Sequence, residues 1–246
     1  MRHRRFRRIE IFCSRFRVRN SELHLQTSPL GSEGGVMGEK REKNAKAMER
    51  RVIGVHLILT LYGHWGVNDP RGSGSMDFYD QKFEPLGSIH HGRKRIQPAR
   101  AELKEYHREH ADLLNFPIFW LDDAKAQAVG GAIEEVIRER KYTCYACAIC
   151  SNHVHLVIRT HRDDALTMLA NFGEAIRTRL RLCFSNEISP HHPVVSARPY
   201  KVFLYTPDEV RGRIDYVEAN PMKEGKPRQS WSFVTVYDNF PFHKRK

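Results

Sequence analysis

Ser151-Asn152-His153-Val154-His155-Leu156-Val157-Ile158 decides how this 246-residue chain is read. The stretch is rich in β-branched residues and fits a β-strand. On a strand, side chains two apart share a face. His153 and His155 therefore stand side by side on one face, while Val154, Leu156 and Ile158 point to the other. Two imidazoles at that spacing can bind one metal ion together. Two histidines on a solvated strand face would have the same spacing, so the rest of the chain has to decide.

Immediately upstream, Tyr142 to Ile149 reads as a strand joined to the histidine strand by a short turn. Before it, Asp122 to Arg140 reads as a helix, capped by Asp122 or Asp123, with Val129, Ile133, Val136 and Ile137 on one face. Downstream, Asp163 or Asp164 caps a second helix, with Leu166, Leu169, Gly173, Ile176 and Leu180 predicted on its inner side. Tyr200 to Tyr205 is a further strand. Thr206-Pro207-Asp208-Glu209 then opens another helix, with Thr at the cap, Pro at the first position and Glu at the capping-box position. Pro221 predicts its end near Asn220. Far upstream, Val52 to Tyr62 has the profile of a central strand. This order predicts an α+β fold, a ferredoxin-like βαββαβ antiparallel sheet with an extra C-terminal helix. Both packing helices would cover the face of Val154, Leu156 and Ile158. His153 and His155 would face the open side, where only the last helix is free to dock.

The first strand and first helix are separated by a polar insertion at about 66–118. It holds the basic run His90-His91-Gly92-Arg93-Lys94-Arg95 and a short helix predicted from Pro98 to Leu114. Residues 1–48 show no sustained period and read as a basic, disordered N-terminal extension. Residues 49–236 read as one domain and 237–246 as a basic tail. The formal net charge of +12 suggests a nucleic-acid partner. Its distribution tempers that, because residues 1–51 hold 14 Lys and Arg against 6 Asp and Glu. The body is only mildly basic. No apolar run has membrane-spanning length, no signal-peptide core follows the basic start, and five cysteines at irregular positions form no disulfide framework. The expected location is therefore the cytoplasm.

On the last helix, Val210, Ile214 and Val217 form an apolar stripe. Tyr216 and Asn220 lie one turn apart on a neighbouring face. A Tyr offers a phenol that can act as a nucleophile, and an Asn offers an oxygen ligand; both could meet a metal held by the histidines. Tyr216 equally fits an amphipathic core position, and Asn220 a helix stop before proline. Cys144, Cys147 and Cys150 have the spacing that opens an iron–sulfur motif, but Val154 stands where a fourth Cys would fall. On a strand Cys147 should face away from Cys144 and Cys150, so the three are expected to be buried small hydrophobes.

Ser-Asn-His-Val-His-Leu-Val-Ile at 151–158, with Tyr-Val-Glu-Ala-Asn-Pro-Met-Lys-Glu-Gly at 216–225, resembles the two signatures of the single-tyrosine HUH transposases. The similarity is to the REP-associated tyrosine transposases and their insertion-sequence relatives. Trp65 and Asp69-Pro70-Arg71-Gly72-Ser73 are similar to a feature of larger members. The resemblance runs from about residue 51 to about 235, the middle segment excepted. It implies that His153 and His155 bind a divalent metal, Mg²⁺ or Mn²⁺, that Asn220 completes the site, and that Tyr216 is catalytic. Val154 stands as the bulky apolar residue between the histidines; Met222 departs from the Val or Leu expected after the proline. The implied activity is that of a transposase, an endonuclease and strand transferase on single-stranded or hairpin DNA. It would proceed through a 5′-phosphotyrosine link and need no nucleotide cofactor. DNA-contact candidates are Trp65, Arg71, Arg177, Arg181 and Arg213. A homodimer is compatible with this reading. Two rival readings are a protein that recognises repeat hairpins without transposing, and a metal-dependent phosphoesterase that uses water.

Overall fold

A computed structural model describes residues 51–66, 68–72, 81–92, 94–197 and 199–242. The extension read at 1–48 lies outside the described residues, as do residues 243–246 of the tail. In chain order the elements are β1 (Gly54–Thr60), a 3-10 helix (Gln81–Leu86), α1 (Arg100–Asp112), α2 (Asp123–Arg140), β2 (Cys144–Ile149), β3 (His153–Arg159), α3 (Ala165–Cys183), β4 (Tyr200–Leu204), α4 (Pro207–Glu218) and α5 (Asn220–Lys223). The architecture is α+β. One four-stranded sheet runs in the order β2-β3-β1-β4, with every neighbouring pair antiparallel.

Local chemistry sets the helix ends. Asp122 accepts from the Lys125 backbone N–H, and Asp164 from that of Thr167, each satisfying a donor the helix start leaves unpaired. Thr206 and Glu209 form a reciprocal capping box at the start of α4, with Pro207 beside it. Helix α4 stops at Glu218 and the chain turns again as α5, rather than simply ending near Asn220. Pro221 is tolerated there because a first-turn N–H has no helical partner to lose.

Helices α2 and α3 pack on each other and on one face of the sheet. Val55, Leu57 and Leu59 of β1 and Val154, Leu156 and Ile158 of β3 meet Val129 and Ile133 of α2 and Phe172 and Ile176 of α3. Burying each such side chain contributes on the order of 1.5–3 kcal/mol. Leu166, expected on the inner side of α3, is exposed. The stripe is centred on Phe172 and Ile176, and Leu166 falls to its flank.

On the opposite face α4 lays Val210 and Val217 against Ile53, Ala146, Ala148, Val157 and Leu204. Tyr237 and Phe240 join the same cluster, and Tyr145 Oη donates to Asp238, so part of the segment read as a tail lies on the body. The cysteine geometry also departs from the strand alternation. Register shifts at Cys144–Ala146, where Cys144 pairs with Ile158 and Ala146 with Val157. This bulge makes Tyr145 the extra residue and puts Cys144 and Cys147 on the same, helix-covered face. All three cysteines are buried.

The insertion has a small core of its own. Tyr106 and His110 of α1 stack on each other, and Phe83 of the 3-10 helix lies against His110. The loop after β1 passes so close that a Cβ on Gly66 would sit 1.9 Å from Tyr106 Oη. Among the described residues no helix is long and apolar enough to cross a membrane.

Candidate active site

The site lies where β1 and β3 run side by side beneath α4. Thr60 pairs with His153 and Ile58 with His155. The His153 and His155 rings meet edge-on with centroids 4.5 Å apart. A third imidazole, from His56 of β1, lies on the same face. Its Nε2 is 2.9 Å from His155 Nδ1, and the two rings stack at 5.0 Å. Both rings are buried. Helix α4 then places Tyr216 edge-on to both, at 5.7 Å from His155 and 6.0 Å from His56. The face the sequence leaves for the last helix is thus occupied by it, and the histidines are covered.

Asn220, one turn after Tyr216, is buried. Its Nδ2 donates to the Tyr216 carbonyl at 2.7 Å, and its Oδ1 accepts from Lys223 Nζ at 3.4 Å. The Lys223 ammonium also sits 4.3 Å from the Tyr216 ring centroid, and the Arg213 guanidinium 5.5 Å from it. Helices α4 and α5 therefore present a phenol and two cations together.

The imidazoles are held neutral. Burial, then the Lys223 charge, brings His153 down to about 4. Burial, then Arg213 and His153, brings His56 to about 3. Burial drives His155 well below its ordinary value, with its neighbours adding to the shift. Neutral imidazole is the metal-binding form. When His155 donates Nδ1–H to His56 Nε2, a lone pair is left on His155 Nε2. That atom is buried and has no hydrogen-bond partner among the described residues. Leaving it so costs about 1–3 kcal/mol, which an ion bound there would recover.

His153 has other neighbours too. Among the described residues one group of three His, Cys or acidic side chains has ligand atoms all within 4.8 Å of one another: Cys150, His153 and Glu224. The Glu224 carboxylate accepts from Ser151 N–H at 2.9 Å and Ser151 Oγ at 3.1 Å. Burial, reinforced by the Glu224 charge, pushes the Cys150 thiol up to about 12. Sequence reasoning missed His56, Glu224 and the Cys150 connection. Two signals were present: His56 is the one histidine in the Val52–Tyr62 run, and Glu224 continues the helical spacing of Tyr216 and Asn220.

The DNA-contact candidates divide. Trp65 is 52% exposed, and the Arg71 guanidinium lies 4.3 Å from its ring centroid. Arg71 is fixed by two hydrogen bonds to buried Asp69, at 2.9 and 2.6 Å. A second indole, Trp120, is 55% exposed and was not foreseen. It packs edge-on against His64 at 4.2 Å, and His64 Nε2 donates to the Phe119 carbonyl. Both loops are tied to the turn before β3, since Leu61 N–H donates to Asn152 and Leu121 N–H to Ser151. The two indoles therefore sit at the His153 end of the sheet, and Arg213 lies beside Tyr216. Arg177 and Arg181 are on α3, across the sheet from the histidines. There Arg177 pairs with Glu174 and Arg181 donates to the His192 carbonyl.

No family model and no curated protein matches the chain. Among solved structures, a REP-associated tyrosine transposase bound to a REP hairpin superposes with a TM-score of 0.37 and 14% identity, over 74% of this chain and 76% of that one. A candidate transposase from Deinococcus radiodurans R1 does so with a TM-score of 0.37 and 9% identity, over 72% and 93%. Likeness at this level assigns neither a family nor an activity.

Proposed function

We propose that the chain cleaves and rejoins single-stranded DNA in the manner of a tyrosine transposase, with Tyr216 as the nucleophile. The reading includes a ferredoxin-like core, which the antiparallel order β2-β3-β1-β4 supports. The observation that supports it most is the packing of Tyr216 against buried, neutral His155, whose Nε2 has no hydrogen-bond partner among the described residues. The donor set fits a divalent cation, which His153, His155 and Asn220 would hold. Bound there, Mg²⁺ or Mn²⁺ would neutralise charge on a phosphodiester and aid departure of the 3′ oxygen.

The chain's own residues do the rest. A phosphodiester repels an anionic nucleophile, and a phenol in water titrates near ~10, so both partners need help. Lys223 and Arg213 beside the Tyr216 ring put positive charge where the phosphate would approach. The Tyr216 hydroxyl gives up its proton to solvent, its oxygen bonds to phosphorus as the P–O3′ bond breaks, and the departing 3′ oxygen takes up a proton. A 5′-phosphotyrosine and a free 3′-OH result. The link conserves the bond, so a second 3′-OH can reverse the step and rejoin a strand. Exposed Trp65 and Trp120 would stack bases of the incoming strand.

Tyr216→Phe keeps the ring contacts and removes only the reacting oxygen. It should fold and bind a single-stranded hairpin oligonucleotide as wild type does, while giving neither nick nor adduct. Wild type should leave a denaturation-resistant adduct that maps by mass spectrometry to the Tyr216 peptide. Cleavage without an adduct, unaffected by the Phe change, would assign the chemistry to water. Binding with no cleavage under any divalent ion would leave a hairpin-recognition protein.

A further inference from the structure

We infer that Cys150, His153 and Glu224 form a second cation site, selective for thiophilic divalent ions of the zinc and cadmium class. The argument starts from the β2–β3 turn. Cys150 N–H donates to the His153 carbonyl at 2.9 Å, closing a two-residue loop of Ser151 and Asn152. That closure sets the last residue before the turn beside the first residue of β3. Ser151, inside the loop, donates both its backbone N–H and its hydroxyl to Glu224. A single turn thus fixes all three side chains, and their ligand atoms come within 4.8 Å of one another.

The donor chemistry selects the ion. A thiolate, an imidazole and a carboxylate form a mixed S, N, O set of the kind zinc accepts, with a fourth position left for water or a phosphate oxygen. Mg²⁺ and Mn²⁺ avoid sulfur and gain little there. Hydrogen bonds from Ser151 to the Glu224 oxygens are no obstacle, since ligating carboxylates are ordinarily oriented by such donors. On binding, the thiol proton leaves to solvent and the freed sulfur lone pair bonds to the ion in its place.

His153 belongs both to this set and to the pair with His155. A consequence that rests on the function proposed above is that a thiophilic ion withdraws His153 from the cleavage site. Zinc would then inhibit a reaction that manganese supports.

Cobalt(II) is the probe, because a thiolate ligand gives it an intense near-ultraviolet charge-transfer band. The full-length protein should develop that band and lose it when Zn²⁺ is added. Cys150→Ser and Cys150→Ala should each abolish it, and Glu224→Gln should weaken cobalt binding tenfold or more. Mn²⁺ affinity of the two Cys150 variants should stay within twofold of wild type. A folded wild type without a thiolate band, or a band that survives both Cys150 variants, overturns the inference. In the second arm, Zn²⁺ should inhibit Mn²⁺-supported nicking by wild type, and Cys150→Ser should resist at least tenfold more Zn²⁺. A band without any Tyr216 adduct keeps this site and sinks the proposed function; an adduct without a band does the reverse.

Discussion

His56→Phe tests the site at the residue that sequence reasoning overlooked. The Nε2 of His56 is 2.9 Å from His155 Nδ1, and both rings are buried. Phe keeps the ring volume and its stacking but removes the acceptor. His155 Nδ1 is then buried and unpaired, at a cost of about 1–3 kcal/mol. The same change deletes His56 Nδ1, itself buried without a hydrogen-bond partner among the described residues, and so recovers a similar desolvation cost. The two nearly cancel, and the thermal midpoint should move by only a few degrees. Function should move much further. With no acceptor, nothing selects the tautomer that leaves the His155 Nε2 lone pair available. Loss of such an orienting partner lowers metal affinity about 10–100-fold, or roughly 1.4–2.7 kcal/mol. His56→Gln offers an amide oxygen in place of the nitrogen and should recover part of the affinity. Calorimetric titration with Mn²⁺ reads the effect directly, and nicking rates at limiting and saturating Mn²⁺ separate affinity from chemistry. A folded His56→Phe protein that binds Mn²⁺ within twofold of wild type would refute the positioning role.

Trp65→Ala and Trp120→Ala should each weaken binding of a single-stranded oligonucleotide by about 1–3 kcal/mol, with a blunt duplex little affected; fluorescence anisotropy on both substrates checks this, and equal losses on the duplex would count against stacking. Acid should loosen the insertion. Burial brings His110 down to about 4 against an ordinary 6.5, so between those values the unfolded form binds the extra proton and stability falls as pH falls. The loss, complete only below about 4, is at most roughly 3 kcal/mol. Hydrogen exchange along α1 from pH 7 to 5 reads it, and His110→Phe, which keeps the stack with Tyr106 and Phe83, should reduce the acid sensitivity.

The sequence revealed the elements that carry their own signals. The α4 capping box, the Asp122 and Asp164 caps and the alternation of β3 are local codes, and each appears in the structure where the residues put it. What stayed hidden depends on which strands become neighbours. Tyr145 is an ordinary strand residue until register against β3 makes it the bulge that turns Cys144 to the side of Cys147. His56 reads as one polar residue in an apolar run, because nothing local says that its strand lies against the strand of His155 in the register that brings the rings together.

The same reasoning separates two kinds of arginine. Arg177 and Arg181 stood out as a cluster in the sequence, yet α3 packs across the sheet from the histidines, where Arg177 pairs with Glu174 and Arg181 with a backbone carbonyl. Arg71 and Arg213 are no more conspicuous by composition. Arg71 is locked by buried Asp69 over an exposed indole, and Arg213 flanks the ring of Tyr216. A guanidinium over an exposed aromatic can accept a base on one side and a phosphate on the other, whereas one already spent on a helix neighbour offers a partner little. Placement, not charge count, therefore decides where a strand would run: from the Trp65 and Trp120 loops, past His153, to the Tyr216 face. Neutralising Arg213 should cost cleavage more than neutralising Arg177, although the two changes remove the same charge from the chain.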